Sequence, residues 1–263
     1  CKVWLHCFRN PNKHIETGKP LALISESDFI DPKFKPNPNK TRKQYDFIYI
    51  CNDDNNTCKD GWNSYIRNWK LAKQCIHVMC HIYKMKGVVI GRKNCEFLGD
   101  YGNLLQRKEF MPQDDLIKLF QQTKILLVPN TADASPRVIT EALACDCRIL
   151  VNRNILGGWK YVNEQTGEFF TNRHDFEQAL DKMNRREHMY SPSTYFRKQY
   201  GNHTTGVKLK KFLEKIKVQN LIQLKLNHQV VDQDLETLIK VMVALVYKLD
   251  LNTIGYMILL TQE

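Results

Sequence analysis

Asp133 and Glu141 are separated by seven residues, and the segment between them contains Ser135-Pro136-Arg137. Ser135 reads as a helix N-cap, and Pro136 as the first helical residue, where its missing N–H costs nothing. Val138, Ile139, Ala142 and Leu143 then recur at helical spacing and should face a core. A helix N-terminus favours anions, because its free N–H groups and its dipole both attract negative charge. Arg137 puts a cation in that first turn, where the dipole disfavours it, which implies an anionic partner. Glu141 lies roughly 7–8 Å along the helix axis from Pro136, at ~1.5 Å per residue. A ligand with phosphates on the helix tip would meet one carboxylate on each side. Ribose hydroxyls suit Glu141, and a second sugar suits Asp133. The plainer alternative is that Asp133 caps a loop and Glu141 is a solvated helix residue.

The elements that must position these residues are legible on both sides. Ile125-Leu126-Leu127-Val128 is a strand-like run closed by Pro129, a polar loop covers Asn130 to Ala134, and Ile149-Leu150-Val151 is a second run. Strand, loop, helix and strand make a βαβ unit with parallel strands. Upstream, Tyr45 to Cys51 reads as a strand, Asn52 to Asn63 as a loop and Ser64 to Met85 as one long helix. Gly87 to Ile90 is a strand, Cys95 to Leu98 a short one, and a further strand ends at Glu109-Phe110-Met111. A helix runs from Pro112-Gln113 to about Gln122. Downstream, Gly167 to Phe170 reads as an edge strand, followed by helices over His174 to Met183, Ser191 to Tyr200 and Thr204 to Ile216. This alternation indicates an α/β domain with a doubly wound parallel sheet.

The run Asp133-Ala134-Ser135-Pro136-Arg137-Val138-Ile139-Thr140-Glu141 resembles the E-x7-E motif of glycosyltransferase family 4, the retaining enzymes with the GT-B fold. Lys124 to Pro129 is similar to that family's strand ending in Pro, and Glu141-Ala142-Leu143-Ala144-Cys145 to its E-A-[ML]-A-C run. Two positions depart from the pattern. The first acid is Asp, which sets its carboxylate one methylene back, and Asp146-Cys147-Arg148 stands where the family has Gly-x-Pro. Asp tolerates the left-handed conformation that Gly supplies there. The resemblance is strongest over 105–175, weaker over 44–215 and absent beyond.

The resemblance implies a Rossmann-like half of a GT-B enzyme that moves a hexose from a nucleoside diphosphate to a hydroxyl of a glycan or other acceptor, with retention. GDP-mannose is the first expected donor and UDP-hexoses the next. It implies Asp133 beside the transferred sugar and Glu141 on the ribose. Ser135 and the N–H groups around Arg137 and Val138 would lie on the diphosphate. In Tyr65 to Lys73, Arg67 would neutralise the leaving diphosphate, with Lys70 in reserve; both also fit the solvated face of an amphipathic helix. Arg92, in Gly91-Arg92-Lys93 at a strand's carboxyl end, is a further donor candidate or a surface residue. No metal or other cofactor is expected, and Asp53-Asp54 is a weak exception.

Residues 1–43 read as two short strands, Lys2 to Phe8 and Leu21 to Ser25, and a Pro- and Lys-rich linker over 31–43; 44–217 is the Rossmann-like domain, and 218–263 a helical extension. Only the second half of a GT-B enzyme is visible. The alternatives are a fragment, a chain that partners a separate first half, or a module that binds donor without efficient transfer.

The net charge of +11 suits an anionic partner, but the basic residues are spread along the chain, which argues against a nucleic-acid stripe. Nine cysteines at irregular spacing show no zinc pattern and read as reduced, which places the chain in the cytoplasm. Three N-glycosylation triplets begin at Asn39, Asn55 and Asn202. Leu238 to Leu260 carries Lys240, Lys248, Asp250 and Asn252 and is a poor membrane span. Gly157-Gly158 is explained by a tight turn. His14, His77, His81 and His174 lack metal-ligand spacing. Neither a hydrolase elbow nor a P-loop is present.

Overall fold

The structure is a computed structural model and describes residues 3–15, 18–39, 42–54 and 57–215. The helical extension expected over 218–263 lies outside the described residues. Among the described residues eight strands are formed: β1 (Trp4–Leu5), β2 (Leu21–Ala22), β3 (Tyr45–Ile50), β4 (Gly87–Ile90), β5 (Leu105–Lys108), β6 (Thr123–Val128), β7 (Arg148–Asn152) and β8 (Gly167–Phe170). The helices are α1 (Trp62–Ile66), α2 (Trp69–His77), α3 (Gln113–Gln121), α4 (Arg137–Ala144), α5 (Arg173–Arg185), α6 (Pro192–Gln199) and α7 (Asn202–Lys215). Among the described residues no helix is long and apolar enough to cross a membrane.

β3 to β8 form one parallel sheet in the order β5-β4-β3-β6-β7-β8. Counted from β3, this is the 3-2-1-4-5-6 order of doubly wound sheets, and the direction of winding reverses between β3 and β6. The strands read as unbroken apolar runs because both faces are covered. Phe47, Tyr49, Ile125 and Leu127 point to one face, against Trp69, Ala72 and Ile76 of α2 and Phe176 and Leu180 of α5. Ile48, Leu126, Val128 and Val151 point to the other, against Phe120 of α3, Ile139 and Leu143 of α4 and Phe196 of α6. The period-two alternation of each strand thus builds two half-cores from one sheet.

The long helix expected over Ser64 to Met85 is instead two short helices and a π-helical turn, Val78–Ile82. The break falls at Asn68, whose backbone is left-handed (φ 50°) and whose side chain accepts from Leu71 N at 3.4 Å. The carbonyls just before it are taken by distant partners. Thr131 N donates to Ile66 O at 3.2 Å, and Tyr49 Oη donates to Arg67 O at 3.3 Å. A continuous helix would need those carbonyls for its own ladder. The apolar stripe runs through the break unchanged, so periodicity alone does not show it. Cys95 to Leu98 is irregular rather than a strand, and β5 ends at Lys108, before Glu109-Phe110-Met111.

The two lead-in strands are present but short, and they pair in parallel, Trp4 with Leu21 and Leu5 with Ala22. The Pro- and Lys-rich stretch is no loose tether. Phe34 is buried among the α3 and α4 side chains, and Arg197 donates to its carbonyl at 3.1 Å. Asp28, also buried, bonds to Lys160 Nζ at 2.7 Å and accepts from Tyr161 Oη at 2.6 Å.

The helix break aims Arg67, and it depends on Asn68. Asn68→Ala should lower stability by about 1–3 kcal/mol, combining loss of a cap with a left-handed non-glycine residue. Asn68→Gly should cost less than Asn68→Ala, because glycine keeps the backbone conformation. Urea unfolding of the three proteins checks both the size and the order.

Candidate functional site

In open parallel sheets, ligands bind beyond the carboxyl ends of the strands where the winding reverses. Here that place is bounded by the loops after β3 and β6. The first leads into α1 and ends at Arg67, and the second is residues 129–136. Their side chains meet: Arg67 Nη1 pairs with Asp133 Oδ2. Asn130 Nδ2 donates to the same oxygen at 3.0 Å, from a side chain that is itself buried. Asp133 is largely enclosed and Arg67 about one-third exposed. The two residues expected to carry the chemistry therefore lie together, 66 positions apart in sequence.

The loop holding Asp133 is tied down from two sides. Thr131 bonds to α1 through Ile66, and the segment after β7 runs alongside, with Leu156 N on Thr131 O at 2.9 Å and Gly157 N on Asp133 O at 2.8 Å. A Cβ on Gly157 would lie 1.7 Å from the carbonyl oxygen of Ala134. Only glycine permits this approach, so Gly157 does more than make a tight turn. Gly158 adds a left-handed residue, φ 78°. The Gly157-Gly158 pair was the sequence signal for this clamp, and Pro129-Asn130 at a strand end was the signal for Asn130.

The helix tip differs from expectation. α4 starts at Arg137, with Pro136 in the cap position and no side-chain cap. Ser135 is not the cap, because its hydroxyl is engaged elsewhere: Ser27 Oγ is 2.6 Å away, and Ser27 N donates to it at 3.2 Å. Nor does Arg137 require an outside anion, since it pairs with Glu26 Oε1 at 3.0 Å. The short turn Glu26–Asp28 of the lead-in thus sits against the start of α4. Val138 contributes a first-turn amide at the same end of the helix.

Glu141 is half-buried on α4. Burial raises its pKa from 4.5, against the opposing effects of Arg137, a hydrogen bond from Gln113 at the start of α3, and Lys33. Lys70 is exposed on α2 and makes no ion pair among the described residues. Arg92 is fully buried, so it is not a surface cation open to a ligand. Its guanidinium reaches Ser64 Oγ at 2.9 Å, Cys51 Sγ at 3.4 Å and Asp53 Oδ1 at 3.4 Å, and lies over the Trp69 ring. It fastens the loop after β3 to α1 and α2. Phe110 is exposed beyond β5.

Cys58 and Cys95 form a disulfide joining the loops after β3 and β4. This corrects the expectation of reduced cysteines and removes the cysteine argument for a cytoplasmic location. Six other described cysteines are free and buried. Asp53, Cys58 and Cys95 bring potential ligand atoms within 4.8 Å, but both sulfurs are spent on the disulfide. Positive charge gathers at the opposite edge of the sheet, where Arg42, Lys43, Lys86 and Lys124 line a cavity of about 530 Å³ with Gln44 and Asp46. That cavity lies at the amino ends of the strands, away from Asp133.

No protein-family model matches the chain, and no curated protein matches it in sequence. Solved structures do match in shape. AviGT4, a glycosyltransferase involved in avilamycin A biosynthesis, superposes with a TM-score of 0.58 at 13% identity, over 81% of this chain and 62% of that one. The pneumococcal O-GlcNAc transferase GtfA, solved with UDP and GlcNAc, gives 0.56 at 11% identity, over 82% of this chain and 45% of its own. Sucrose-phosphate synthase from Thermosynechococcus elongatus gives 0.54 at 9% identity, over 80% and 56%. The chain therefore spans about half the length of these proteins. The likeness shows the fold: a Rossmann-like α/β unit of the kind found in GT-B glycosyltransferases.

The raised pKa of Glu141 has a measurable consequence. Between 4.5 and the higher folded value, the folded state binds more protons than the unfolded, so stability falls as pH rises through that window. Glu141→Gln should remove this part of the pH dependence while keeping the fold. Urea midpoints taken from about pH 4 to about pH 7 for both proteins check it.

Proposed function

We propose that the chain is the nucleotide-sugar-binding half of a retaining glycosyltransferase, which moves a hexose from a nucleoside diphosphate to an acceptor hydroxyl. The observation that carries this reading is the meeting of Arg67 and Asp133 at the reversal point of the sheet. A cation and a carboxylate held there on tethered loops match the two charge demands of the reaction. Arg67 and the first-turn amides of α4, including that of Val138, neutralise the departing diphosphate. Asp133 turns from Arg67 to the transferred sugar. Stabilising charge on a leaving group is the main electrostatic task of such a transfer. Glu141 takes the ribose, exchanging its partly desolvated state for hydroxyl donors. Lys70 remains a reserve cation on the exposed side of α2. The reading includes no metal, because the cationic work falls to Arg67 and the helix.

GDP-mannose is the first donor to test. UDP-sugars follow, since the GtfA structure was solved with UDP and GlcNAc. The acceptor is a hydroxyl of a glycan or similar molecule, and a separate first half is a proposed partner. A second reading is a module that binds donor without turnover.

Calorimetric titration with GDP, UDP and their sugars should show binding, weakened in Glu141→Gln by about 1–3 kcal/mol, the range for a hydrogen bond to a charged group. No heat from any of them at millimolar concentration would refute the reading.

Asp133→Asn separates transfer from binding. It should leave nucleoside diphosphate affinity nearly unchanged and cut sugar transfer or donor hydrolysis about tenfold or more, equivalent to ~1.4 kcal/mol of transition-state stabilisation. The assay uses the chain as given and a version joined to a first half. Full activity in Asp133→Asn would leave the binding module as the better reading.

A further inference from the structure

Trp62 and Tyr65 are 54% and 64% exposed, on the same side of α1, with ring centroids 5.9 Å apart and planes tilted by 31°. Together the two rings present an exposed aromatic face at the start of the five-residue helix α1. We propose that this pair is a subsite for a pyranose ring of an oligosaccharide acceptor, outside the reacting centre. The proposal rests on the glycosyl-transfer reading given above.

The pair stands on a rigid mount. Asp54 accepts from Asn63 N at 3.0 Å, and a Cβ on Gly61 would lie 2.3 Å from the Asp54 carboxylate, so the start of α1 is closely held. Ser64, on the buried side of the helix, bonds to the enclosed Arg92. The far end is tied to the catalytic loop through Ile66 and Arg67. The backbone that carries the rings is thus held relative to Asp133.

Geometry places the subsite. At 100° per residue, Tyr65 and Arg67 point to opposite sides of the helix, which is ~10–12 Å across with side chains. A ring stacked on Tyr65 therefore sits about one helix width from Arg67, a span that calls for an acceptor longer than one sugar. A pyranose has a C–H face and a rim of hydroxyls. The aromatic pair suits the face, and Asp60, exposed just before the helix, suits the rim.

Size favours a sugar over a protein. Aromatic side chains bury ~150–250 Å² each, so a pair this exposed offers on the order of 200–300 Å². A specific protein interface takes ~800 Å² from each partner. Leu98 and Phe110 are also exposed at the carboxyl edge of the sheet, and a protein covering all four residues is the rival occupant.

The test uses the full chain, the double variant Trp62→Ala/Tyr65→Ala, and Trp62→Phe. Each is titrated with maltotriose, cellotriose, mannotriose and chitotriose, with the methyl monosaccharides, and separately with GDP and UDP; saturation-transfer NMR reports which sugar protons touch the protein. At least one trisaccharide should bind the parent through its ring C–H protons. The double variant should bind it about tenfold more weakly or worse, Trp62→Phe within about threefold, and the methyl monosaccharide about tenfold more weakly than the trisaccharide. Nucleoside diphosphate affinity should match in all three proteins, which also shows that the variants fold. Nucleotide binding without trisaccharide binding overturns the subsite alone. Equal trisaccharide binding in the double variant overturns it too, as does a change of oligomeric state on substitution. Loss of nucleotide binding in the parent would instead overturn the reading on which the subsite depends.

Discussion

A single ion pair, Arg67 with Asp133, closes the gap where the parallel sheet reverses its winding. Such a gap exists because β3 and β6 are neighbours whose connections leave in opposite directions. Their outgoing loops diverge over opposite faces, and the space between lacks a covering helix. Each partner is held by backbone as well as charge: Arg67 by the break at Asn68, Asp133 by Thr131, Leu156 and Gly157. The pair is partly exposed, so its own contribution to stability is modest. Its importance lies in position. It joins two tethered loops at the place where open parallel sheets bind ligands.

The fully buried charges play a different part. Arg92 is enclosed by Asp53, Ser64, Cys51 and Trp69, and Asp28 by Lys160 and Tyr161. Removing Asp53 or Lys160, the charged partner in each group, would strand a buried charge, which typically costs ~3–5 kcal/mol. Both clusters act as fasteners. Arg92, with the Cys58–Cys95 disulfide, locks the loop after β3 onto the sheet. Burial lowers the pKa of Lys160, with Asp28 opposing that shift. This second cluster anchors the lead-in beside α4, where Glu26 and Ser27 meet Arg137 and Ser135. The lead-in thus helps to shape the helix tip, although it lies more than a hundred positions away in sequence.

The strand runs, the helix after Pro136 and the doubly wound class were legible in the sequence, because burial on both faces writes continuous apolar strands and burial on one face writes a helical stripe. Asp133 and Glu141 stood out because their spacing across a helix start is local. Arg67 was legible as a basic residue in the first helical region after a strand. Its pairing with Asp133 was not, since nothing in either segment encodes the strand order that joins them. The tertiary structure alone decided that Arg92 is enclosed, that Arg137 has its anion in Glu26, that Ser135 serves Ser27 rather than the helix, and that the helix breaks at Asn68. Each of those outcomes depends on a partner supplied from a distant part of the chain. A sequence records the valence of a polar group, but only the fold determines which partner fills it.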